Sequence, residues 1–143
     1  MIVILKAILI DVSEIKILLQ SVRGDTSNIY FDQFVVAKDG DKLVGCVRIK
    51  KMENNVLELA SLAVSENYRG QGIGKKLVEE ILRVQKERPV YLMCFRDKKG
   101  FYTKSGFEEI KASDLPQVLK NEYNRVSEIL KEKKNEILVM VCR

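Results

Sequence analysis

The chain has no histidine, only three cysteines and only two prolines in 143 residues. Without histidine there is no Ser-His or Cys-His pair to activate a nucleophile, and the commonest zinc ligand is missing. Cys46, Cys94 and Cys142 are odd in number, far apart and set in apolar, strand-like runs with no C-x-x-C spacing. Neither a disulfide framework nor a metal site is expected; buried free thiols in a reducing, cytoplasmic setting are. The apolar run Met1 to Ile10 lacks a basic stretch before it and a small-residue cleavage site after it, and Lys6 interrupts it. It reads as a first strand, so no export signal and no membrane partner are expected.

Length and composition fit one ordinary domain, residues 1–143, with 46% apolar and 31% charged residues and no low-complexity tract or repeat. The net charge of +5 comes from 25 Lys and Arg against 20 Asp and Glu. These are interleaved along helical faces, with Lys76 and Glu80, and Glu79 and Arg83, spaced as solvated i,i+4 pairs. The denser clusters, Arg96 to Lys99 and Lys131 to Lys134, are mixed in sign and carry no interleaved aromatics. No nucleic-acid partner is expected.

Seven residues carry most of the functional information. Tyr68-Arg69-Gly70-Gln71-Gly72-Ile73-Gly74 stand between a strand-like run ending at Val64 and an amphipathic helix reaching about Gln85. Glycines at alternate positions let the backbone approach a ligand, and the helix start aims free N–H groups and a positive dipole end at it. The ligand should be an anion, most plausibly a phosphate. A Walker loop is excluded by the three-residue gap between Gly70 and Gly74 and by Lys76 where Ser or Thr should stand. A dinucleotide fingerprint is excluded because Lys75 occupies the third glycine's place and no βαβ unit opens the chain.

The surrounding elements follow from periodicity. A strand over Met1–Lys6 precedes a helix signalled by Asp11 and Glu14 in capping-box spacing, with Ile15, Leu18, Leu19 and Val22 on one face. Arg23 to Asn28 is a polar loop leading toward a short second helix. Strands over Phe34–Lys38 and Leu43–Lys50 are joined by Asp39-Gly40-Asp41, and Glu53-Asn54-Asn55 turns into a third strand over Val56–Val64. Ile73, Leu77, Val78, Ile81, Leu82 and Val84 recur near helical period until Arg88-Pro89, and Val90–Phe95 is the next strand, giving a parallel crossover. A short helix over Lys99–Lys104, a strand over Phe107–Lys111 and a last strand over Ile137–Cys142 complete the order. Between those last two strands, Ser113-Asp114-Leu115-Pro116 starts an inserted helix within 115–134, with Leu119, Tyr123, Val126, Ile129 and Leu130 on its apolar face. Packing over the sheet and walling an acceptor pocket are both open to it.

Arg69, Gly72 and Gly74 satisfy Arg/Gln-x-x-Gly-x-Gly/Ala, preceded by Leu62-Ala63-Val64, and Phe101-Tyr102-Thr103-Lys104-Ser105-Gly106-Phe107 satisfies Phe-Tyr-x-Lys-x-Gly-Phe. In both motifs the chain resembles the GCN5-related N-acetyltransferase superfamily. The resemblance implies an α/β (α+β) fold with a mixed central sheet of about six to seven strands and helices on both faces. It implies acetyl-CoA as co-substrate, its pyrophosphate on Arg69, Gly70, Gln71, Gly72, Ile73 and Gly74 and its pantetheine arm on the backbone of Leu62, Ala63 and Val64. An oxyanion at the thioester would meet a strand N–H near Val64.

Acetyl transfer needs a neutral amine and a proton for the departing thiolate. A side-chain amine of pKa near 10.4 is neutral in about one molecule in a few thousand at pH 7, an α-amine in roughly one in seven, so a base matters more for the first. Glu58 is the candidate base: it is the only charged residue in Val56 to Val64, burial there would raise its pKa, and its position matches the family's glutamate. A carboxylate fixed by a neighbouring Lys or Arg is the alternative. Tyr102 is the candidate acid by the motif, a phenol holding its proton at neutral pH; a core ring with its hydroxyl at the surface is the alternative. The family's pantetheine-binding asparagine, seven residues before the tyrosine, is replaced by Phe95, leaving backbone groups or Arg96 to hold the arm.

The expected activity is direct acetyl transfer in a ternary complex. The acceptor is an amine, a small molecule or amino acid ahead of a protein or peptide amino group. A non-catalytic acyl-CoA sensor is the competing class, and a homodimer is one open assembly.

Overall fold

The computed structural model describes the backbone of residues 1–143 and all side chains except those of Lys134 and Asn135. Seven strands form a mixed sheet in the order β1-β2-β3-β4-β5-β7-β6. The chain divides into two compact units, residues 1–50 with 60–86 and residues 51–59 with 87–143.

The first unit holds β1 (Ile2–Lys6), α1 (Val12–Ser21), β2 (Phe34–Asp39), β3 (Lys42–Lys51), the end of β4 (Leu57–Val64) and α2 (Ile73–Val84). β1, β2 and β3 pair antiparallel, and Asp39 opposite Lys42 leaves Gly40-Asp41 as a two-residue hairpin turn. The α1 face expected from sequence is buried, with Ile15, Leu18 and Leu19 packed into a core with Phe34, Val36, Leu43, Cys46 and Ala63. α2 buries Ile73, Leu77, Val78 and Ile81. Each of those side chains contributes about 1.5–3 kcal/mol by leaving water.

Four local expectations are corrected here. Asp11 and Glu14 form no capping box at the start of α1: Asp11 caps the 3-10 turn before it and also pairs with β2, and Glu14 reaches β3. Asp11 accepts the Ile8 N–H at 2.9 Å and pairs with Lys38 at 2.7 Å, while Glu14 accepts the Leu43 N–H at 3.2 Å. The short second helix is only a 3-10 turn over Phe31–Gln33. α2 ends at Val84, within a residue of the expected bound, but its stop is the extended Gln85 and not Arg88-Pro89. On its surface the ion pairs are Lys75 with Glu79 and Arg83 with Glu80, shifted from the expected ones.

The second unit holds the start of β4, then β5 (Val90–Phe95), α3 (Lys99–Thr103), β6 (Glu108–Ile110), α4 (Gln117–Ile129) and β7 (Ile137–Cys142). β4 and β5 are parallel through Leu57 with Val90 and Glu58 with Tyr91, as the crossover required. β7 lies between β5 and β6, antiparallel to both, and all six of its residues are buried. α4 is shorter than the 115–134 segment: Pro116, with no N–H to donate, caps its start, and the chain tightens into a 3-10 turn over Lys131–Glu136. Its Leu119 packs with Leu115 and Val139, against Tyr91, Met93 and Ile110. α4 thus packs over the sheet.

Candidate functional site

The strand, loop and helix of the first unit build the loop site. Ser65 donates its N–H to the Val44 carbonyl at 2.8 Å, ending β4 against β3. Glu66–Tyr68 make a 3-10 turn, and the chain enters the loop at Arg69, whose Nε donates back to the Val64 carbonyl at 3.1 Å. Tyr68 is held from the other side, donating its hydroxyl to Asp39 at 2.8 Å with Lys42 Nζ 5.5 Å from its ring centroid.

Gly70 and Gly72 have φ of +80° and +78°, a region that costs an L-residue about 1–2 kcal/mol. A Cβ at either would touch nothing within 4 Å. The glycines therefore serve conformation and an open face, not tight packing. Gly72 caps α2, and the first helical hydrogen bond runs from the Lys76 N–H to the Gly72 carbonyl at 3.2 Å. The N–H groups of Ile73, Gly74 and Lys75 lie ahead of it, without intrahelical acceptors. Left-handed glycines, an open face and free helix-start amides fit an anionic group such as a pyrophosphate.

Ahead of the loop, Ser61 lies in β4 with φ +59°. A non-glycine residue held there costs about 1–3 kcal/mol and needs surroundings that fix it. Its carbonyl accepts a bond from Cys46 Sγ at 3.4 Å, and its hydroxyl accepts one from Arg48. Neither Ser61 nor Arg48 stood out in the sequence. A usable signal was there: Arg48 is a lone cation with apolar residues on both sides, Leu43 to Val47 and Ile49, the pattern of a strand covered on both faces.

In the second unit Glu58 is buried, 6% exposed, beside Tyr91 in register. Tyr102 lies in α3, its ring edge-on to Phe101 at 5.0 Å and to Phe107 at 6.0 Å. Burial, and then the Cys94 sulfur nearby, push its phenol up to about 12. Phe95, in the missing asparagine's place, is 43% exposed at the end of β5, and Arg96 follows it in a 3-10 turn. The three cysteines are free. Burial pushes Cys46 up to about 12, and burial with the Asp97 and Glu109 charges pushes Cys94 up to about 11, so neither is a thiolate at neutral pH.

Residues 31–109 match the family model of the acetyltransferase (GNAT) domain. Over 85 residues the chain is 34% identical to an uncharacterised N-acetyltransferase of Chlorobaculum tepidum, a match spanning 59% of this chain and 55% of that relative. Among solved structures, a Mycobacterium tuberculosis protein in complex with CoA superposes with a TM-score of 0.76 at 24% identity, covering 98% of each chain. The N-acetylglutamate synthase of Neisseria gonorrhoeae, complexed with CoA and N-acetylglutamate, gives 0.78 at 18% identity, covering 100% of this chain and 35% of that one. These likenesses establish a shared fold. With more than half its length inside the family model, the chain belongs to the GNAT acetyltransferase family.

Proposed function

We propose that residues 1–143 act as a single N-acetyltransferase domain, transferring an acetyl group from acetyl-CoA to a primary amine in a ternary complex. The observation that carries this reading is the open, left-handed glycine loop at the start of α2, directly after the strand segment Leu62–Val64, in a chain of the GNAT family. The loop from Arg69 to Gly74 would hold the pyrophosphate and the backbone of Leu62, Ala63 and Val64 the pantetheine arm. Bound there, acetyl-CoA supplies an activated acyl group.

The chain's own residues would then move two protons. Glu58 takes one from the acceptor amine, which forms the new C–N bond as the C–S bond breaks, and Tyr102 gives one to the departing sulfur. A strand N–H in 62–64 stabilises the charge that develops on the carbonyl oxygen. Glu58 is buried on the strand that leads into the arm site, which suits a base screened from bulk water. Tyr102 keeps its proton well past neutral pH, which suits an acid. Glu58→Gln should lower turnover by about a hundred- to ten-thousand-fold and remove the acidic limb of the pH–rate profile. An unchanged profile would dismiss the assignment.

A small amine or amino acid is the acceptor class this reading favours. A helix over the acceptor side would narrow access, and α4 packs on β7. The remaining support is the N-acetylglutamate bound in the Neisseria enzyme of the same fold. Free thiols suit a reducing compartment, and a cytoplasmic location belongs to the same proposal. Calorimetry with acetyl-CoA, followed by thiol release across a panel of amino acids, polyamines and lysine peptides, tests it. Turnover only with peptides would move the acceptor to protein amino groups. Tight binding with no turnover across the panel would replace the enzyme by an acyl-CoA sensor.

A further inference from the structure

Arg48 stands in the middle of β3 with its side chain fully buried. Its Nε donates to Ser61 Oγ at 2.9 Å, and its Nη1 to the carbonyls of Asn28 at 3.0 Å and Ser27 at 3.3 Å. Its Nη2 donates to the Ser27 carbonyl at 3.3 Å and to both the carbonyl and the carboxylate of Asp25 at 3.4 Å. The guanidinium also lies 5.3 Å from the Phe34 ring centroid. Desolvating a cation is expensive, and an apolar side chain of similar volume often serves a core equally well. A planar fork of donors achieves what an apolar side chain cannot: it grips three carbonyls of an irregular segment and a strand hydroxyl at once.

The residue gripped on the strand is Ser61, left-handed at φ +59° and immediately before Leu62. The other partner, segment 25–28, is braced from outside by Asp25, which accepts from the Ser27 N–H at 2.9 Å and pairs with Lys50 at 2.9 Å. If the pyrophosphate sits at Arg69 to Gly74, the arm runs back along Val64 and Leu62 and its thioester arrives at the Ser61 end. We propose that Arg48 is a positioning residue that locks Ser61 and segment 25–28 into one unit, setting the strand groups that meet the thioester and the chain segment beside it. This rests on the acetyl-CoA reading above.

The test compares two ligands: acetyl-CoA, and ADP, which has a pyrophosphate and no arm. Arg48→Lys should weaken acetyl-CoA about tenfold by calorimetry and ADP by less than about twofold, while amide exchange across 25–28 accelerates. Adding Ser61→Gly, which takes a left-handed φ without strain, should recover part of the acetyl-CoA affinity but none of the protection at 25–28. Asp25→Asn leaves Arg48 in place and should give the same selective loss at about threefold, so a poorly folding Arg48 variant does not remove the test. Parallel weakening of both ligands, or unchanged acetyl-CoA affinity in Arg48→Lys and Asp25→Asn, overturns the proposal. Wild-type protein that binds neither ligand overturns the acetyl-CoA reading itself, and the proposal with it.

Discussion

Replacing Tyr102 by phenylalanine separates the chemistry of that side chain from its packing. The edge-on contacts with Phe101 and Phe107 involve only the ring and survive in Tyr102→Phe, so thermal unfolding should stay within about 0.5 kcal/mol of wild type. With the phenol pushed up to about 12, roughly one molecule in 10⁵ is ionised at pH 7, against one in 10³ for an ordinary tyrosine. The proton is therefore available for donation across the working pH range. If it goes to the departing thiolate, its loss should lower kcat by about 10²–10⁴. That is about 2.7–5.4 kcal/mol on the barrier at 1.36 kcal/mol per decade, with the KM for acetyl-CoA changed by less than about twofold. The assay is thiol release at saturating acetyl-CoA and acceptor from pH 6 to pH 10. Wild type should show no decline from tyrosine ionisation in that range. A Tyr102→Phe variant within about threefold of wild-type kcat would refute the reasoning. So would an alkaline decline below pH 10 that disappears in the variant, because the phenol would then titrate where its burial forbids.

Gly72→Ala places a methyl in open space at φ +78°, so its cost is conformational, about 1–2 kcal/mol. Calorimetry should show CoA affinity falling beyond that cost, because the methyl occupies the face the ligand needs; equal affinity would dismiss the cradle. Gly45→Ala is the reverse case: its methyl would stand 3.0 Å from Leu77 Cδ1 and 3.3 Å from the Ala63 carbonyl. Urea unfolding should report a loss of about 1–3 kcal/mol from overpacking between β3 and α2. For Asp25, burial alone would raise the pKa, but hydrogen bonds from Ser27 and Lys50 with the Lys50 charge outweigh it and hold the carboxylate well below its usual range. Its contribution is then complete above the unfolded value near 3.9 and is lost as pH falls through the lower folded value. The Ser27 amide resonance should report that loss on acidification, and Asp25→Asn should abolish it.

Elements whose pattern is local were legible in the sequence. The α2 face from Ile73 to Ile81, a turn around Asp39-Gly40-Asp41, and the strand before and helix after the glycine loop follow from spacing. What escaped was decided by residues distant in the chain. Asp11 and Glu14 have the spacing of a cap, but Lys38 and the Leu43 N–H outcompete the helix start for them. The apolar run around Arg48 signals burial, but its partners in segment 25–28 lie twenty or more residues away in the chain. Ser61 has no side-chain property that announces a left-handed backbone; its two partners, at positions 46 and 48, impose it.

The placement of β7 bears on how the molecule is made. Val90–Phe95 and Glu108–Ile110 emerge from the ribosome well before residues 137–142, so the strand between them is synthesised after both. Until it arrives, β5 shows a bare edge and β6 has no neighbour. An unpaired apolar edge of that kind invites association with other chains. A nascent or C-terminally truncated chain would therefore carry its aggregation hazard in the second unit. The glycine loop and α2 are complete in sequence by residue 84.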